Sequence, residues 1–206
     1  MSHRTEDLPP LTGPAHWFRE LRYHEASRQS FALILVVLFC LTDSPRPLLV
    51  VIGLPIALAG ELFRLYASGF IVKNQELATD GPYRFVRHPL YTGNILLVVG
   101  FALAAWSWWT LPLSLFFFWF YYPPAIEYED RKLHRIFGAA WEQWSARTPA
   151  LMPRFIGAPP AGAGDRAWSL GVSTMRNGEL VFVIFAIVCA AWVVWQTWGP
   201  SAATVQ

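Results

Sequence analysis

Charge is what this chain has least of. Only 15% of its 206 residues are Asp, Glu, Lys or Arg, where a soluble domain carries about a quarter, and its mean hydropathy is +0.34. With 54% apolar residues it is too hydrophobic for intrinsic disorder, and too short for several soluble domains in series. Sixteen Lys and Arg stand against 14 Asp and Glu, a net charge of +2, so no global basic excess points to nucleic acid. Cysteine is nearly absent. Cys40 and Cys189 read as isolated thiols inside apolar runs, without the number or spacing of a disulfide framework or a metal site. No internal repeat is visible, which disfavours an inverted-repeat transporter. Residues 1–30 are polar and show no cleavable signal pattern, so the first apolar run, opening at Phe31, is expected to act as an uncleaved anchor.

What the chain does have is long apolar runs. They predict an all-α integral membrane protein of about five transmembrane helices, with spans near 31–42, 48–72, 94–109, 111–122 and 180–198. The first run is short and needs residues 27–30 to reach spanning length. The second contains Gly53, Pro55 and Gly60, which neighbouring helices can accommodate. The third and fourth read as a hairpin turning at 109–112. The chain therefore divides into an amino-terminal segment (1–30), a membrane core (31–156), a flexible connector (157–178) around the Gly/Pro/Ala run 157–164, and a last span (179–206).

Alternating the loops collects 14 of the 16 basic residues on one side, from Arg4, Arg19, Arg22 and Arg28 to Arg166 and Arg176. The positive-inside rule makes that side, and the amino terminus, cytoplasmic, which suits the cytoplasmic (inner) membrane. Trp106, Trp108, Trp109, Trp119, Tyr121 and Tyr122 mark the interfaces. Trp17, Phe18 and Leu21 give the polar amino-terminal segment one apolar edge, the pattern of an interfacial helix.

Two polar clusters fall on the cytoplasmic side. The first is Gly81-Pro82-Tyr83-Arg84-Phe85-Val86-Arg87-His88-Pro89-Leu90-Tyr91-Thr92-Gly93, at the entry to the third span. It offers guanidinium, imidazole and phenol groups on a backbone restrained by proline. The second follows the fourth span. At helical spacing Ile126, Glu129, Asp130, Leu133, Ile136 and Phe137 share one stripe, so two carboxylates interrupt a face expected to be packed. Buried carboxylates need a cationic partner, and Arg84 or Arg87 are the candidates. Glu127, Arg131, His134 and Arg135 form the solvated face, and Gly138 is placed to end the helix. Within the second span, Glu61 and Arg64 are three apart and can pair.

The string Arg87-His88-Pro89-Leu90-Tyr91-Thr92-Gly93, followed by Glu129-Asp130-x-x-Leu133-x-x-x-Phe137-Gly138, resembles the isoprenylcysteine carboxyl methyltransferase family and its phospholipid N-methyltransferase relatives. Those proteins carry RHPxYxG and then EExxLxxxFG. Trp141, Trp144, Arg147 and Pro153 look like the positions that follow, and the resemblance covers about residues 47–154. It implies a membrane methyltransferase using S-adenosylmethionine, with a helical cytoplasmic cofactor region and no Rossmann fold. The acceptor would be lipophilic, an isoprenylcysteine carboxylate or a phospholipid amine, reached from the surrounding membrane lipids. Carried over by position, Tyr83, Arg87, His88, Pro89, Tyr91, Gly93, Glu129 and Asp130 would bind cofactor, and His88, Glu129 and Arg87 would be catalytic. The chain departs from the pattern once, with Asp130 where a second Glu is expected. The alternatives are an NADPH-dependent enzyme resembling the sterol reductases, and a non-enzymatic membrane accessory protein, for instance in metal resistance. No metal-ligand spacing supports a resident metal.

Overall fold

The computed structural model describes residues 4–42, 46–72, 74–155 and 167–199. It is all-α, with no strand among the described residues: α1 (Gly13–Tyr23), α2 (Glu25–Cys40), α3 (Pro47–Ser68), a 3-10 turn (Gly81–Arg84), α4 (Pro89–Ala105), α5 (Thr110–Phe137), α6 (Ala139–Ser145), a π-helical turn (Val172–Arg176) and α7 (Glu179–Trp198). By length and composition, α3 and α7 can each cross a membrane; α4 is apolar but shorter, at 17 residues. The all-α architecture is the one the apolar runs predict, while among the described residues two of the about five expected spans have the length and composition to cross.

The largest interface joins α3 to α4, and glycine makes it. Gly53 opposes Gly100, and Gly60 opposes Gly93, so the helices run antiparallel at very close range. A Cβ on Gly60 would lie 2.6 Å from the Gly93 carbonyl oxygen, and one on Gly100 2.7 Å from that of Gly53. Small residues allow this approach, which is how membrane helices gain packing without a hydrophobic drive between them. Helix α4 is apolar on all sides and sits centrally, with Val98, Phe101, Ala102 and Ala104 buried. Leu35, Val36 and Phe39 of α2, Phe117 and Tyr121 of α5, and Cys189 and Val193 of α7 complete the same core.

Several element boundaries differ from those read in the sequence. Helix α2 takes in residues 25–30 and stops at Cys40. Helix α4 starts at Pro89, where a missing N–H is harmless, and ends at Ala105. The hairpin thus turns at residues 106–109 rather than 109–112. The cause is Thr110, whose hydroxyl donates to the carbonyls of Ala102 (3.0 Å) and Ser107 (2.9 Å) and ties the turn shut. Pro112 then falls in the first turn of α5, where its missing donor is not needed. Helix α5 runs unbroken through Pro123 and Pro124 to Gly138, whose φ of +50° ends it as expected. Ile136, placed on the packed stripe, is 41% exposed, because α6 packs on the His134 side of the end of α5. The two thiols are not isolated: Cys40 Sγ lies 3.8 Å from the Cys189 carbonyl oxygen, both residues being buried and free.

Of the expected connector, residues 157–166 lie outside the described residues. Residues 168–177 fold back on α3: Trp168 Nε1 donates to the Tyr66 carbonyl (3.1 Å) and Asn177 Nδ2 to that of Ser68 (2.8 Å). Helix α1 carries exposed Trp17, Phe18 and Leu21 on one edge, as an interfacial helix requires.

Candidate active site

One end of the bundle gathers the start of α2, the end of α3, the start of α4, the second half of α5, and α6. Two Pro-restricted corners fix His88 there. The 3-10 turn at 81–84 reverses the chain, and Pro89 opens α4 immediately after the histidine. The first N–H groups of a helix lack internal partners, and the segment after α6 supplies some around them. Arg87 N donates to Pro149 O (2.8 Å), His88 N to Ala150 O (3.0 Å), and Arg154 N to Phe85 O (2.9 Å). The Thr92 hydroxyl donates to Leu151 O (2.8 Å). Gly138 turns the chain so that Trp144 returns to donate to the Tyr83 carbonyl at 3.2 Å. Residues 85–92 are thereby held between α5 and the irregular stretch 149–154.

The two sequence clusters meet at this corner. His88 is 5% exposed. Its Nδ1 lies 3.4 Å from Glu129 Oε2 and its Nε2 3.1 Å from Asp130 Oδ1. Arg87 Nη2 donates to Asp130 Oδ2 (2.9 Å) and Nη1 to the Ser145 carbonyl (3.2 Å). The Tyr91 hydroxyl donates to Glu129 Oε1 at 2.5 Å, and its ring stacks on His88 with centroids 5.7 Å apart. The cationic partner for Asp130 is therefore Arg87, not Arg84, whose guanidinium lies over the Phe85 ring.

Burial by itself lowers the basicity of His88, but its bonds to Asp130 and Glu129 and their charges outweigh that, and its pKa is raised. Burial likewise pushes Glu129 up. The His88 bond and charge, the Tyr91 hydroxyl and the Arg28 charge outweigh it, holding the carboxyl below the ordinary range. Both shifts favour a His88–Glu129 ion pair. Burial pushes the Tyr83 phenol well above its usual value, so it stays neutral.

Beside this cluster opens a cavity of 290 Å³. Tyr83, Arg87, His88, Pro89, Tyr91 and Glu129 line it, with Glu129 leaving 38% of its side chain open. Asp130 stands behind them, on Arg87 and His88. Gly93 is at the helix crossing, against Gly60 and the Arg64 side chain. The sequence reading missed Trp144 as a wall, and Arg4, Glu25 and Lys132, which also line the cavity. Their only signal was position, on the amino-terminal segment and one turn beyond Glu129. Further into the bundle, Glu61 and Arg64 pair as their spacing predicts (3.6 Å), and Arg64 also reaches Glu179 of α7 at 2.8 Å.

Residues 49–140 match the family model for phospholipid methyltransferase. The chain is 34% identical over 127 residues to the cobalt-zinc-cadmium resistance protein CzcN of Cupriavidus metallidurans, covering 61% of this chain and 56% of that one. It is 32% identical over 139 residues to the nickel-cobalt-cadmium resistance protein NccN of Alcaligenes xylosoxydans xylosoxydans, covering 61% and 64%. It is 28% identical over 95 residues to the protein-S-isoprenylcysteine O-methyltransferase of Schizosaccharomyces pombe, covering 46% and 40%. The chain thus spans between 40% and 64% of the length of these relatives. No solved structure matches it. The similarity to phospholipid methyltransferases thus falls on residues 49–140, and two protein-S-isoprenylcysteine O-methyltransferases are among the proteins this chain resembles.

Proposed function

We propose that this protein is an integral membrane methyltransferase that uses S-adenosylmethionine and a lipophilic acceptor. One observation carries the reading: residues 87–91 and Glu129–Asp130, 42 positions apart for His88 and Asp130, close on one another beside a single cavity. The lining fits the donor's chemistry. A partly open carboxylate and the aromatic residues Tyr83, Tyr91 and Trp144 suit cationic groups, while Arg4, Arg87 and Lys132 suit a carboxylate. Bound there, S-adenosylmethionine would supply an electrophilic methyl group.

The protein's own part is orientation and charge. Glu129, fixed by His88 on one oxygen and Tyr91 on the other, presents a preset negative field to the cavity. Preset dipoles and charges of this kind lower the barrier without reorganising. Methyl transfer needs in-line approach of the acceptor's lone pair, so holding both partners in place supplies most of the acceleration. A carboxylate acceptor needs no base. An amine acceptor loses its proton, and His88 and Glu129 are the titrating pair at the cavity. The apolar outer faces of the bundle would let a lipid-like acceptor approach sideways from the bilayer, and the cavity end of the bundle faces the cytoplasm on the positive-inside reading.

The test is incubation of membranes with methyl-labelled S-adenosylmethionine, followed by separation of lipid, protein and volatile fractions. Label is expected in the lipid or lipidated-protein fraction, and its absence from every fraction contradicts the reading. A second reading, a role in metal resistance, is favoured by the names of two relatives. Methyl transfer can serve that role. If a His88→Ala/Glu129→Gln double variant keeps a resistance phenotype, the role is an accessory one without catalysis.

A further inference from the structure

Arg28 is a buried cation that stands beside the site described above and lends its charge to Glu129. It lies one turn into α2 and is 7% exposed, on the same buried stripe as Leu35, Val36 and Phe39. Its guanidinium carbon stands over the Tyr91 ring, 5.2 Å from the centroid. Its Nη1 is fully buried and meets no hydrogen-bond acceptor. The nearby carboxylates are already engaged. Glu129 holds Tyr91 and His88, Asp130 holds Arg87 and His88, and Glu25 pairs with Arg4. A cation–π contact, with the Glu129 charge beyond it, leaves the buried Nη1 without the hydrogen bond that water would give it. For the fold, an apolar side chain at position 28 would serve better.

We infer that Arg28 anchors the anionic headgroup of the methyl acceptor, a carboxylate or phosphate carried on an apolar tail. Three placements support this, and the inference rests on the methyl-transfer reading. Arg28 is one ring, Tyr91, away from the Glu129 carboxylate at the cavity. It lies one turn along α2 from Glu25, which lines that cavity. Its surroundings are aromatic and apolar, with Phe31 packed on Tyr121 (5.9 Å) and Tyr91 on Tyr122 (5.1 Å), as an isoprenyl or acyl tail requires. An unused N–H donor in such a setting forms a charge-assisted bond with an entering anion, the stronger class of hydrogen bond. Arg28 lies outside the 49–140 family match.

The experiment measures binding of four probes to detergent-purified protein by equilibrium dialysis. The carboxylate arm compares N-acetyl-S-farnesylcysteine with its neutral methyl ester. The phosphate arm compares dioleoylphosphatidylethanolamine with dioleoylglycerol. The wild type is expected to prefer the carboxylate- or phosphate-bearing member of one arm by about tenfold or more, and the arm that responds identifies the anion. Arg28→Gln should erase that preference while weakening S-adenosylmethionine binding far less, and Arg28→Lys should keep part of it. The melting temperature of Arg28→Gln should hold or rise, because an underpaired buried charge has gone. Wild-type binding without anion preference, or a preference that survives in Arg28→Gln, overturns the inference. A fall in melting temperature together with lost S-adenosylmethionine binding also overturns it, by making Arg28 structural. An intact preference in a protein that binds no S-adenosylmethionine keeps the anion site and removes the methyl-transfer reading.

Discussion

The Arg22 side chain of α1 donates from Nε to the Phe120 carbonyl of α5 at 2.9 Å, and Phe120 stands four residues before Pro124. A proline at that position has no N–H to return to the carbonyl one turn back. The interfacial helix therefore supplies the bond that the proline removes, and its guanidinium also sits over the Phe120 ring at 5.5 Å. This is how α5 crosses Pro123 and Pro124 in one piece and carries Glu129 to the site.

That relationship predicts a coupled pair. Arg22→Met should destabilise the protein by about 1 kcal/mol, a charged-donor bond discounted for partial exposure. Pro124→Ala restores the N–H, so the same change in that background should cost less. A double-mutant cycle of melting temperatures in detergent measures the coupling, and strict additivity would refute the link.

Asp130 bridges Arg87 and His88. Asp130→Ala leaves both without their shared acceptor in a part-buried setting, and a loss of about 2 kcal/mol is expected. Asp130→Glu, the residue of the family pattern, should recover much of it. Denaturation midpoints of the three proteins decide the matter. An alanine variant as stable as the wild type rules out the bridge.

Stability should depend on pH on both sides of a plateau. Glu129 has a lowered folded pKa, so its contribution is present above its unfolded value near ~4.3 and is lost as pH falls through the folded value. His88 has a raised folded pKa, so its contribution is complete below ~6.5 and is lost as pH rises through the folded value. A melting-temperature profile should therefore decline at the alkaline end for the wild type and decline less there for His88→Asn. Parallel alkaline limbs would show that His88 is not the group responsible.

Gly60→Ala tests the helix crossing. The added Cβ meets the Gly93 carbonyl and the Leu97 amide, backbone atoms that cannot swing aside. Overpacking against backbone should cost about 3 kcal/mol and reduce donor binding as well, because α4 carries His88 and Tyr91. Donor affinity that survives a large stability loss would separate the crossing from the site.

The site was more legible in the sequence than the fold around it. His88 and Glu129 stood out because polar side chains at the edge of an apolar run need partners, and their neighbours along the chain could be read directly. The Glu61–Arg64 pair showed itself by helical spacing. Glu179, 115 residues from Arg64, read only as the opening of the last span, since nothing local links α7 to α3. Arg28 was counted among basic residues flanking a span, because its burial arises from α4 and α5 closing over α2. The hairpin turn was placed late because proline outranked Thr110 as a turn signal. Helix ends set by tertiary hydrogen bonds leave little trace in local composition.

The account rests on one donor site shared by the two motifs. Calorimetric titration of S-adenosylmethionine into purified wild-type and Glu129→Gln protein tests it most directly. Saturable binding at one site is expected, weakened about tenfold or more by removing the Glu129 charge that faces the cavity. A wild type that takes up no S-adenosylmethionine, or a Glu129→Gln variant that binds it equally well, would contradict the account.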